Sequence, residues 1–436
     1  MSEPIVHLEA EAWEREVLGA ERVVVDFYST ECPPCEALAP KFEALAGLYG
    51  QDVKFVKIFR QGNRALAEAL GVRASPTVLF FQRGQRVGEV LGGPIKRSAL
   101  VRNLDALVGE ARAAELRARQ PHRVTETEAL ILGAGPAGLT AAVYLAQAKV
   151  PTLVVDPQLA GGYVATTHLV SNYPGFEKPI EGFMLAHKMG EQAKAAGAGL
   201  RLAVEVTRVD LRAREVELDG VETVRARKLI LATGTRPRPL GVQGELEYAG
   251  RGISYCATCD AKYYQDKDVV VIGGGNSAVE ESLFIARFAR RLTIVHQFAE
   301  LQANQEAQAR ARATPNIDFL FQHEPRAFLH DGQTVDRVEV EDLRTQARRT
   351  LACHGVFVFA GLMPNLEALG PGLALDGYGY VKTDALMHTN LPHVFAAGDL
   401  ASKPYRQITV AVAEGTVAAM TAARELEAER GARDLR

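Results

Sequence analysis

The chain is short of several things, and each shortage removes a class of protein. It has no uninterrupted apolar stretch near the roughly 20 residues that a membrane-crossing helix needs, so no membrane partner is expected. Its formal net charge is only -3 over 436 residues, which leaves no basic field to attract nucleic acid or anionic lipid. Cysteine is scarce as well. There are five, and four of them form two Cys-x-x-Cys pairs, which is not the spacing of a secreted disulfide framework. The first ten residues carry Glu3 and Glu9 and lack a positive region followed by an apolar run. No export signal is therefore expected, and a cytoplasmic enzyme is the default. The remaining composition, 47% hydrophobic and 24% charged, suits a globular chain of two to four domains.

What is present is organised around Ser254-Tyr255-Cys256-Ala257-Thr258-Cys259-Asp260. Two close thiols trade two electrons as dithiol and disulfide, and Asp260 stands directly behind them. Glycine fingerprints lie on either side: Gly133-Ala134-Gly135-Pro136-Ala137-Gly138 upstream and Gly273-Gly274-Gly275-Asn276-Ser277-Ala278 downstream. The second cysteine pair, Cys32-Pro33-Pro34-Cys35, is far away near the N-terminus. A four-thiolate zinc site would need both pairs to converge. Prolines between ligands, and a helix starting at the second cysteine, suit thiol exchange better.

In the N-terminal segment, Val23 to Tyr28 reads as a buried strand running into Cys32. Leu38, Phe42, Leu45 and Tyr49 then recur at helical spacing, with Pro40 expected to kink the helix. Cys32 is thus predicted at a helix N-terminus, where free N–H groups and the macrodipole favour a thiolate. Further strands are predicted at Val53 to Phe59, Val78 to Phe81 and the edge segment Arg86 to Leu91. On Asp26, Cys32, Cys35, Pro40, Lys57 and Pro76, residues 1 to 108 resemble thioredoxin. The resemblance implies that Cys32 is an exposed nucleophile and Cys35 the resolving thiol. It also implies that Pro76 is a cis proline facing them, and that Asp26, paired with Lys57, is a buried proton acceptor. Two departures stand out: Glu31 where thioredoxins usually carry Trp, and Pro-Pro where they carry Gly-Pro. A carboxylate beside Cys32 disfavours its thiolate.

Residues 109 to 125 are charged and Ala/Arg-rich, and they read as a solvated linker, helical in its first half. Extended, about 17 residues would span roughly 55 to 60 Å. That is enough to serve the same chain or a dimer partner at roughly millimolar local concentration.

Residues 126 to 242 and 362 to 436 read as one nucleotide-binding domain. The strand Glu128 to Leu132 leads into the Gly133–Gly138 turn and an apolar helix. Thr152 to Val155 ends at Asp156, about 20 residues beyond the fingerprint, where a carboxylate reaches the ribose hydroxyls. Gly161-Gly162, Asn172, Ala232-Thr233-Gly234, Gly398-Asp399 and Arg406-Gln407 complete a pattern that resembles the low-molecular-weight thioredoxin reductase family from residue 126 to 430. The resemblance implies FAD, with Asp399 on the ribityl chain and Arg406 and Gln407 near the flavin. Taken alone, Asp399 is as readily a helix N-cap.

Residues 243 to 361 read as a second Rossmann-like unit nested in the first. It carries Gly273, Gly275, Asn276, Ser277, Ala278 and Glu280 at its fingerprint, His296-Gln297 after its second strand, and Gly361 at its exit. NADPH-dependent members of the family have a His-Arg-Arg run with another Arg beyond it. Here the run is His296-Gln297-Phe298-Ala299-Glu300-Leu301-Gln302. A 2′-phosphate needs charge-assisted donors and finds none in this run. Arg290 and Arg291 precede the strand and so belong to its wrong end. NADH is therefore expected over NADPH, as in the similar flavoprotein of alkyl hydroperoxide reductase. Cys353 reads as a small core residue.

The sequence thus describes an α/β protein: a thioredoxin fold followed by nested FAD- and NAD(P)-binding domains, acting as a homodimer by resemblance. Electrons are expected to pass from NADH through FAD to Cys256/Cys259, then to Cys32/Cys35, then to protein disulfides or a peroxiredoxin. By resemblance Cys259 contacts the flavin, Cys256 attacks the incoming disulfide and Asp260 manages the proton. The nicotinamide domain is expected to swing, with Glu247-Tyr248 and Gly361-Leu362 as hinges. Competing readings are a reductase dedicated to a peroxiredoxin and, from another class, a redox-responsive binding protein with a structural flavin. No metal is expected.

Overall fold

The computed structural model describes residues 5–434. Its first unit is a five-stranded sheet built from β1 (Ile5–Leu8), β2 (Arg22–Tyr28), β3 (Lys54–Phe59), β4 (Thr77–Gln82) and β5 (Gln85–Gly92), in the order β1-β3-β2-β4-β5. Strand β2 is central because its Val23, Val24, Val25 and Phe27 are apolar on both faces and fully buried, the pattern of a strand covered on two sides. One face packs on α1 (Pro33–Tyr49), whose Leu38, Phe42, Leu45 and Tyr49 enter the core as their helical spacing requires. The helix runs through Pro40 as one element. Edge strand β5 is mostly exposed and antiparallel to β4.

The linker is shorter than its composition suggests. Helix α2 (Arg97–Val108) is followed at once by α3 (Glu110–Ala118). Ala113 and Leu116 of α3 lie three apart and are buried, with Leu116 in the core of the first unit. Arg112 pairs with Asp52 at 3.0 Å and Arg117 pairs with Asp105. Strand β6 begins at Arg123. Only residues 119–122 connect packed elements, a reach of about 14 Å when extended. The long flexible lead is corrected: Ala113 and Leu116 on one helical stripe, with the two ion pairs, hold α3 to the first unit.

The second unit is a seven-stranded sheet. Its parallel part contains β6 (Arg123–Leu132), β7 (Thr152–Asp156), β8 (Gly199–Leu202), β9 (Glu222–Leu231) and, returning from late in the chain, Val394–Ala396. Helix α4 (Pro136–Gln147) and the C-terminal helix Ile408–Asp434 cover one face. Helix α5 (Gly182–Ala196) packs beside α4. Lys228 of β9, fully buried, ties the C-terminal helix down by donating to Glu429 at 2.8 Å and to Glu425, with His393 Nδ1 at 2.8 Å. That ammonium fills the acidic cluster of His393, Glu425 and Glu429.

A short antiparallel ribbon, β10 (Thr235–Pro237) with Leu362–Pro364, carries the chain into and out of the third unit. That unit is a parallel sheet in the order Ile253–Ser254, Gly355–Val358, β11 (Asp268–Ile272), β12 (Arg291–His296), Ile317–Phe321. Helix α6 (Ala257–Asp260) and helix α7 (Asn276–Ile285) lie against it. Three antiparallel strands between His323 and Ala352 lie beside it. Leu362 is in the crossing ribbon, as a hinge candidate should be. Tyr248 is not: it is 2% exposed, packs with Phe328 and Val335, and stacks on His330 at 4.4 Å. The Glu247-Tyr248 hinge gains no support: Tyr248 packs within the third unit, and the chain crosses between units at the ribbon.

Candidate functional site

Both cysteine pairs are built the same way. Cys256 is the N-cap of α6 and Cys32 the N-cap of α1. In each, the N–H of the second cysteine donates to the sulfur of the first at 3.3 Å. Both pairs are disulfide-bonded, with Cα atoms 5.2 and 5.4 Å apart. A sulfur that accepts an N–H at a helix start is biased toward thiolate once reduced, so the local chain equips both pairs for exchange. The two pairs sit in different units and do not converge on one site.

Cys256/Cys259 is moored to the second unit by a residue that sequence reasoning passed over. Thr258 Oγ1 donates to the backbone carbonyl of Thr166 at 2.6 Å and lies 3.4 Å from Cys256 Sγ. Thr166 ends the turn that begins with Gly161-Gly162. Ser254 Oγ accepts the Cys256 N–H at 3.1 Å. Cys259 is exposed while Cys256 and Asp260 are half-buried, so the two sulfurs have unequal access. Thr258 lies between the cysteines, but which carbonyl it meets is set by a segment about 90 residues earlier.

In the second unit the glycines are required sterically. A Cβ on Gly133 (φ +111°) would lie 2.2 Å from the Ala232 carbonyl, and one on Gly138 would lie 1.9 Å from the Gly133 carbonyl. The backbones of Gly135 and Gly162 face each other, a Gly162 Cβ falling 3.1 Å from Gly135 Cα. Pro136 starts α4, and its N-cap Gly135 supplies no side-chain acceptor. The first-turn N–H groups, those of Ala137 and Gly138 among them, are left to meet an anion. Asp156 is buried and accepts from Ala134 N at 2.6 Å and Gln158 N at 2.7 Å; burial pushes its carboxyl up.

Gly398 reaches the same end of α4, its Cβ position 2.8 Å from Ala137 Cβ, and sets Asp399 beside it. Burial raises the Asp399 carboxyl, with Lys403 and Arg406 pulling it down. Lys403, unremarked in the sequence, donates to the Gly398 carbonyl at 2.6 Å and to Glu414. Asn172 and Gln407, 235 residues apart, meet at 3.2 Å. The Arg406 guanidinium lies 3.7 Å over the Tyr380 ring, with its Nε buried and unpartnered. Thr233 Oγ1 donates to the Asn365 carbonyl at 2.8 Å, and Gly234 (φ +62°) leads into β10. An uncapped helix start, a glycine cradle, the buried carboxylate of Asp156, the half-buried one of Asp399 and an orphaned guanidinium Nε are a donor set that fits FAD.

The third unit repeats the cradle. Gly273 (φ +133°) would place a Cβ 2.4 Å from the Phe359 carbonyl, and Gly275 caps α7 without a side chain. Ser277 and Asn276 are exposed in the first turn, while Ala278 packs inward. Asn304, in the stretch after His296 that resembles the alkyl hydroperoxide reductase flavoprotein, joins two candidates: its N–H reaches Asn276 Oδ1 at 2.7 Å and its Nδ2 reaches Glu280 Oε1 at 2.8 Å. His296 ends β12 against Gly274; burial pulls its imidazole down and leaves Nε2 unpartnered. Gln297 through Glu300 are exposed. Arg290, just before β12, pairs with Asp268, and Arg291, the register partner of Asp268 at the end of β12 opposite His296, pairs with Asp318. The donor set fits a dinucleotide, with no guanidinium among residues 297–302. Gly361 (φ +94°) accepts from Arg238 N at 2.9 Å at the ribbon rather than at the cradle.

A further contact joins the second and third units. The His168 ring lies 3.9 Å from that of Phe284 on α7. Glu281 on α7 turns to the same segment: burial raises its carboxyl to about 7, opposed by the His168 N–H and reinforced by Glu280. Its Oε2 has no partner.

At the N-terminal pair, two implied features are revised. Cys32 is 8% exposed, no more open than Cys35 at 9%, and the Ser75 carbonyl lies 3.5 Å from its sulfur on the cis Ser75–Pro76 segment. Asp26 and Lys57 are register partners of β2 and β3, yet they form no ion pair. Lys57 lies 5.8 Å over the Phe42 ring, and Asp26 keeps Oδ1 unpartnered. Burial raises its carboxyl to about 7 against the pull of Lys57. Glu31 is exposed at φ +50°. Cys353 is buried and its thiol is pushed up to about 12, inert as the core reading requires.

Residues 127–415 match the family described as pyridine nucleotide-disulphide oxidoreductase, and residues 4–106 match the thioredoxin family. The thioredoxin reductase of Peptoclostridium acidaminophilum is 40% identical over 305 residues, 68% of this chain and 96% of that protein. That of Bacillus subtilis is 39% identical over 297 residues, 67% and 93% respectively. Among solved structures, Lactococcus lactis thioredoxin reductase in its FR conformation superposes with a TM-score of 0.65 at 35% identity, covering 68% of this chain and 98% of that one. The T. acidophilum thioredoxin reductase does so with 0.65 at 33%, covering 69% and 98%.

Proposed function

The chain belongs to the pyridine nucleotide-disulphide oxidoreductase family, as a flavin-dependent disulfide reductase of the thioredoxin reductase type with a fused thioredoxin domain, and on that premise we propose that it feeds its own Cys32/Cys35 with electrons from NADH. The Gly133–Gly138 turn, Asp156 and Asp399 would hold FAD, which would supply the two-electron exchange between nucleotide and disulfide. Cys259, the exposed member, faces that chemistry, and Cys256 carries the exchange. The Cys256 thiolate attacks Cys32 Sγ, the Cys32–Cys35 bond breaks, and Cys35 leaves as a thiolate and takes up a proton. Cys259 then attacks Cys256 Sγ, the disulfide of the third unit reforms, and Cys32 is released. Asp260, on the same turn as Cys259, is the proton carrier for the first step. Asp26, whose carboxyl titrates near 7, is the carrier beneath Cys35.

The observation that carries this reading is the Thr258–Thr166 hydrogen bond, which ties the Cys256/Cys259 turn to the glycine-rich wall of the FAD cradle. NADH is favoured by the uncharged run Gln297, Phe298, Ala299 and by the carboxylate of Glu300. The clients are protein disulfides, in a cytoplasmic homodimer. A second reading, a reductase dedicated to a peroxiredoxin, is favoured by that same nucleotide site.

Stopped-flow mixing with NADH tests the relay in a Cys32→Ser variant. Flavin reduction should persist while turnover of protein disulfides is lost. Full turnover in this variant, with free thioredoxin added as the acceptor, would show that the fused domain is not the conduit.

A further inference from the structure

Lys41 occupies an unusual place for a lysine. It lies on α1, six residues beyond Cys35, and is 7% exposed, although lysine is almost never buried without partners. Its Nζ donates to three carbonyls: Ile95 at 3.1 Å within its own unit, and Leu202 at 3.3 Å and Ala203 at 2.7 Å across the border in the FAD-binding unit. All three donors of the ammonium are used. The neighbouring contacts follow the same border. Lys96 donates to the Val204 carbonyl at 3.1 Å and to that of Pro157. Ser98 Oγ donates to Glu205 at 2.6 Å, and Glu36 pairs with Lys194 at 2.6 Å. These directed bonds run along the end of edge strand β8 and the residues after it, flanked by Pro157 just after β7 and Lys194 on α5.

The dock is at the wrong end of α5 for electron transfer. Gly182, the first residue of α5, donates to the Thr167 carbonyl at 3.2 Å, next to the Thr166 carbonyl that holds Thr258. Lys194, which holds Glu36, is twelve residues further along, about 18 Å at the helical rise. Exchange requires sulfur-to-sulfur bonding contact, so the docked arrangement cannot support it between the two cysteine pairs of one chain.

We infer that Lys41 anchors a parking site for the thioredoxin domain on the Leu202–Glu205 edge of its own FAD-binding unit, and that Cys32/Cys35 must leave this site before Cys256 can reduce it. The inference rests on the relay proposed above for its consequence, but not for the dock itself. With only residues 119–122 as tether, the available motion is rotation of the whole domain, α3 included, about that short segment. The partner recognised is a row of strand-end carbonyls, read by a buried ammonium rather than by an apolar face.

A Lys41→Met variant of the full chain keeps the apolar stem and removes the three donors. Amide hydrogen exchange at Leu202–Glu205 should rise. Rapid-quench alkylation after mixing with NADH should find Cys32–Cys35 reduced roughly ten-fold faster, in line with the loss of charge-assisted bonds. Flavin reduction should be unchanged. A Ser98→Ala/Glu205→Gln double variant, outside the thioredoxin core, should move both readouts the same way and guards against misfolding of Lys41→Met. Unchanged exchange at Leu202–Glu205 in both variants would overturn the dock. Increased exchange with slower Cys32–Cys35 reduction would overturn the parking role and make the dock productive. If Cys32–Cys35 is never reduced even in the parent chain, the relay fails, while the exchange readout still decides the dock.

Discussion

Thr258 of the nicotinamide-binding unit donates its hydroxyl to the Thr166 carbonyl of the FAD-binding unit at 2.6 Å. The bond is the one directed contact holding the redox-active turn itself against the FAD cradle among the described hydrogen bonds. Replacing the hydroxyl by a methyl group of similar size, Thr258→Val, leaves that carbonyl without its donor at a cost of about 1 kcal/mol or more. Reoxidation of reduced flavin by Cys256–Cys259 should slow by roughly five-fold in stopped flow, while NADH reduces the flavin at the parental rate. An unchanged reoxidation rate would mean that packing alone positions the turn.

Asp26 provides a pH test in the N-terminal domain. Its carboxyl is raised from 3.8 to about 7 by burial, opposed by Lys57. Below about pH 4 it is protonated in both folded and unfolded chains and has no differential effect. Between about 4 and 7 the unfolded chain loses its proton first, so stability falls as pH rises, on the order of 4 kcal/mol in full. Asp26→Asn should therefore protect the β2–β4 amides from exchange at pH 8 and change little at pH 4. It should also slow reduction of Cys32–Cys35, because the carboxylic acid that protonates the departing Cys35 thiolate in the proposed relay is gone.

Glu281 gives the interface between the second and third units its own pH dependence. Closed against His168 and Tyr163, its carboxyl is raised to about 7; Arg287 and Glu280 are the other charged groups at hand. Below pH 7 the closed arrangement holds a neutral acid. Above it, closure buries an unpaired charge and the open arrangement gains. Amides of residues 166–170, corrected for intrinsic exchange, should lose protection from pH 6 to 8.5 in the parent chain. In Glu281→Gln that loss should vanish.

The nucleotide site predicts a preference in kcat/KM for NADH over NADPH. The double variant Gln297→Arg/Phe298→Arg should raise the NADPH value by about ten-fold or more through bidentate contact with the 2′-phosphate. A parent enzyme faster with NADPH would remove the premise.

Some of this was legible residue by residue. Cys32 at the start of α1, Asp156 at the end of β7 and the left-handed turns at Gly133 and Gly273 are local facts. Each depends on a few adjacent residues whose sterics and periodicity leave few choices. The family resemblance extended that reading to Asn172 and Gln407, which do meet although 235 residues separate them. The linker illustrates the limit. Its charge suggested a solvated lead, and the Ala113/Leu116 stripe that binds α3 to the core was too short to stand out.

By itself the sequence determined the order of the units, the chemistry each glycine turn and cysteine pair can support, and the missing arginines after His296. These follow from backbone sterics and from which functional groups the chain carries. Only the tertiary structure decided that Thr258 meets Thr166, that Asp26 and Lys57 are neighbours without a bond, that Tyr248 is core, and that Lys41 reaches across to Leu202 and Ala203. Each of these joins residues distant in the chain. Burial decides whether a polar group must find a partner, and packing decides which partner is within reach.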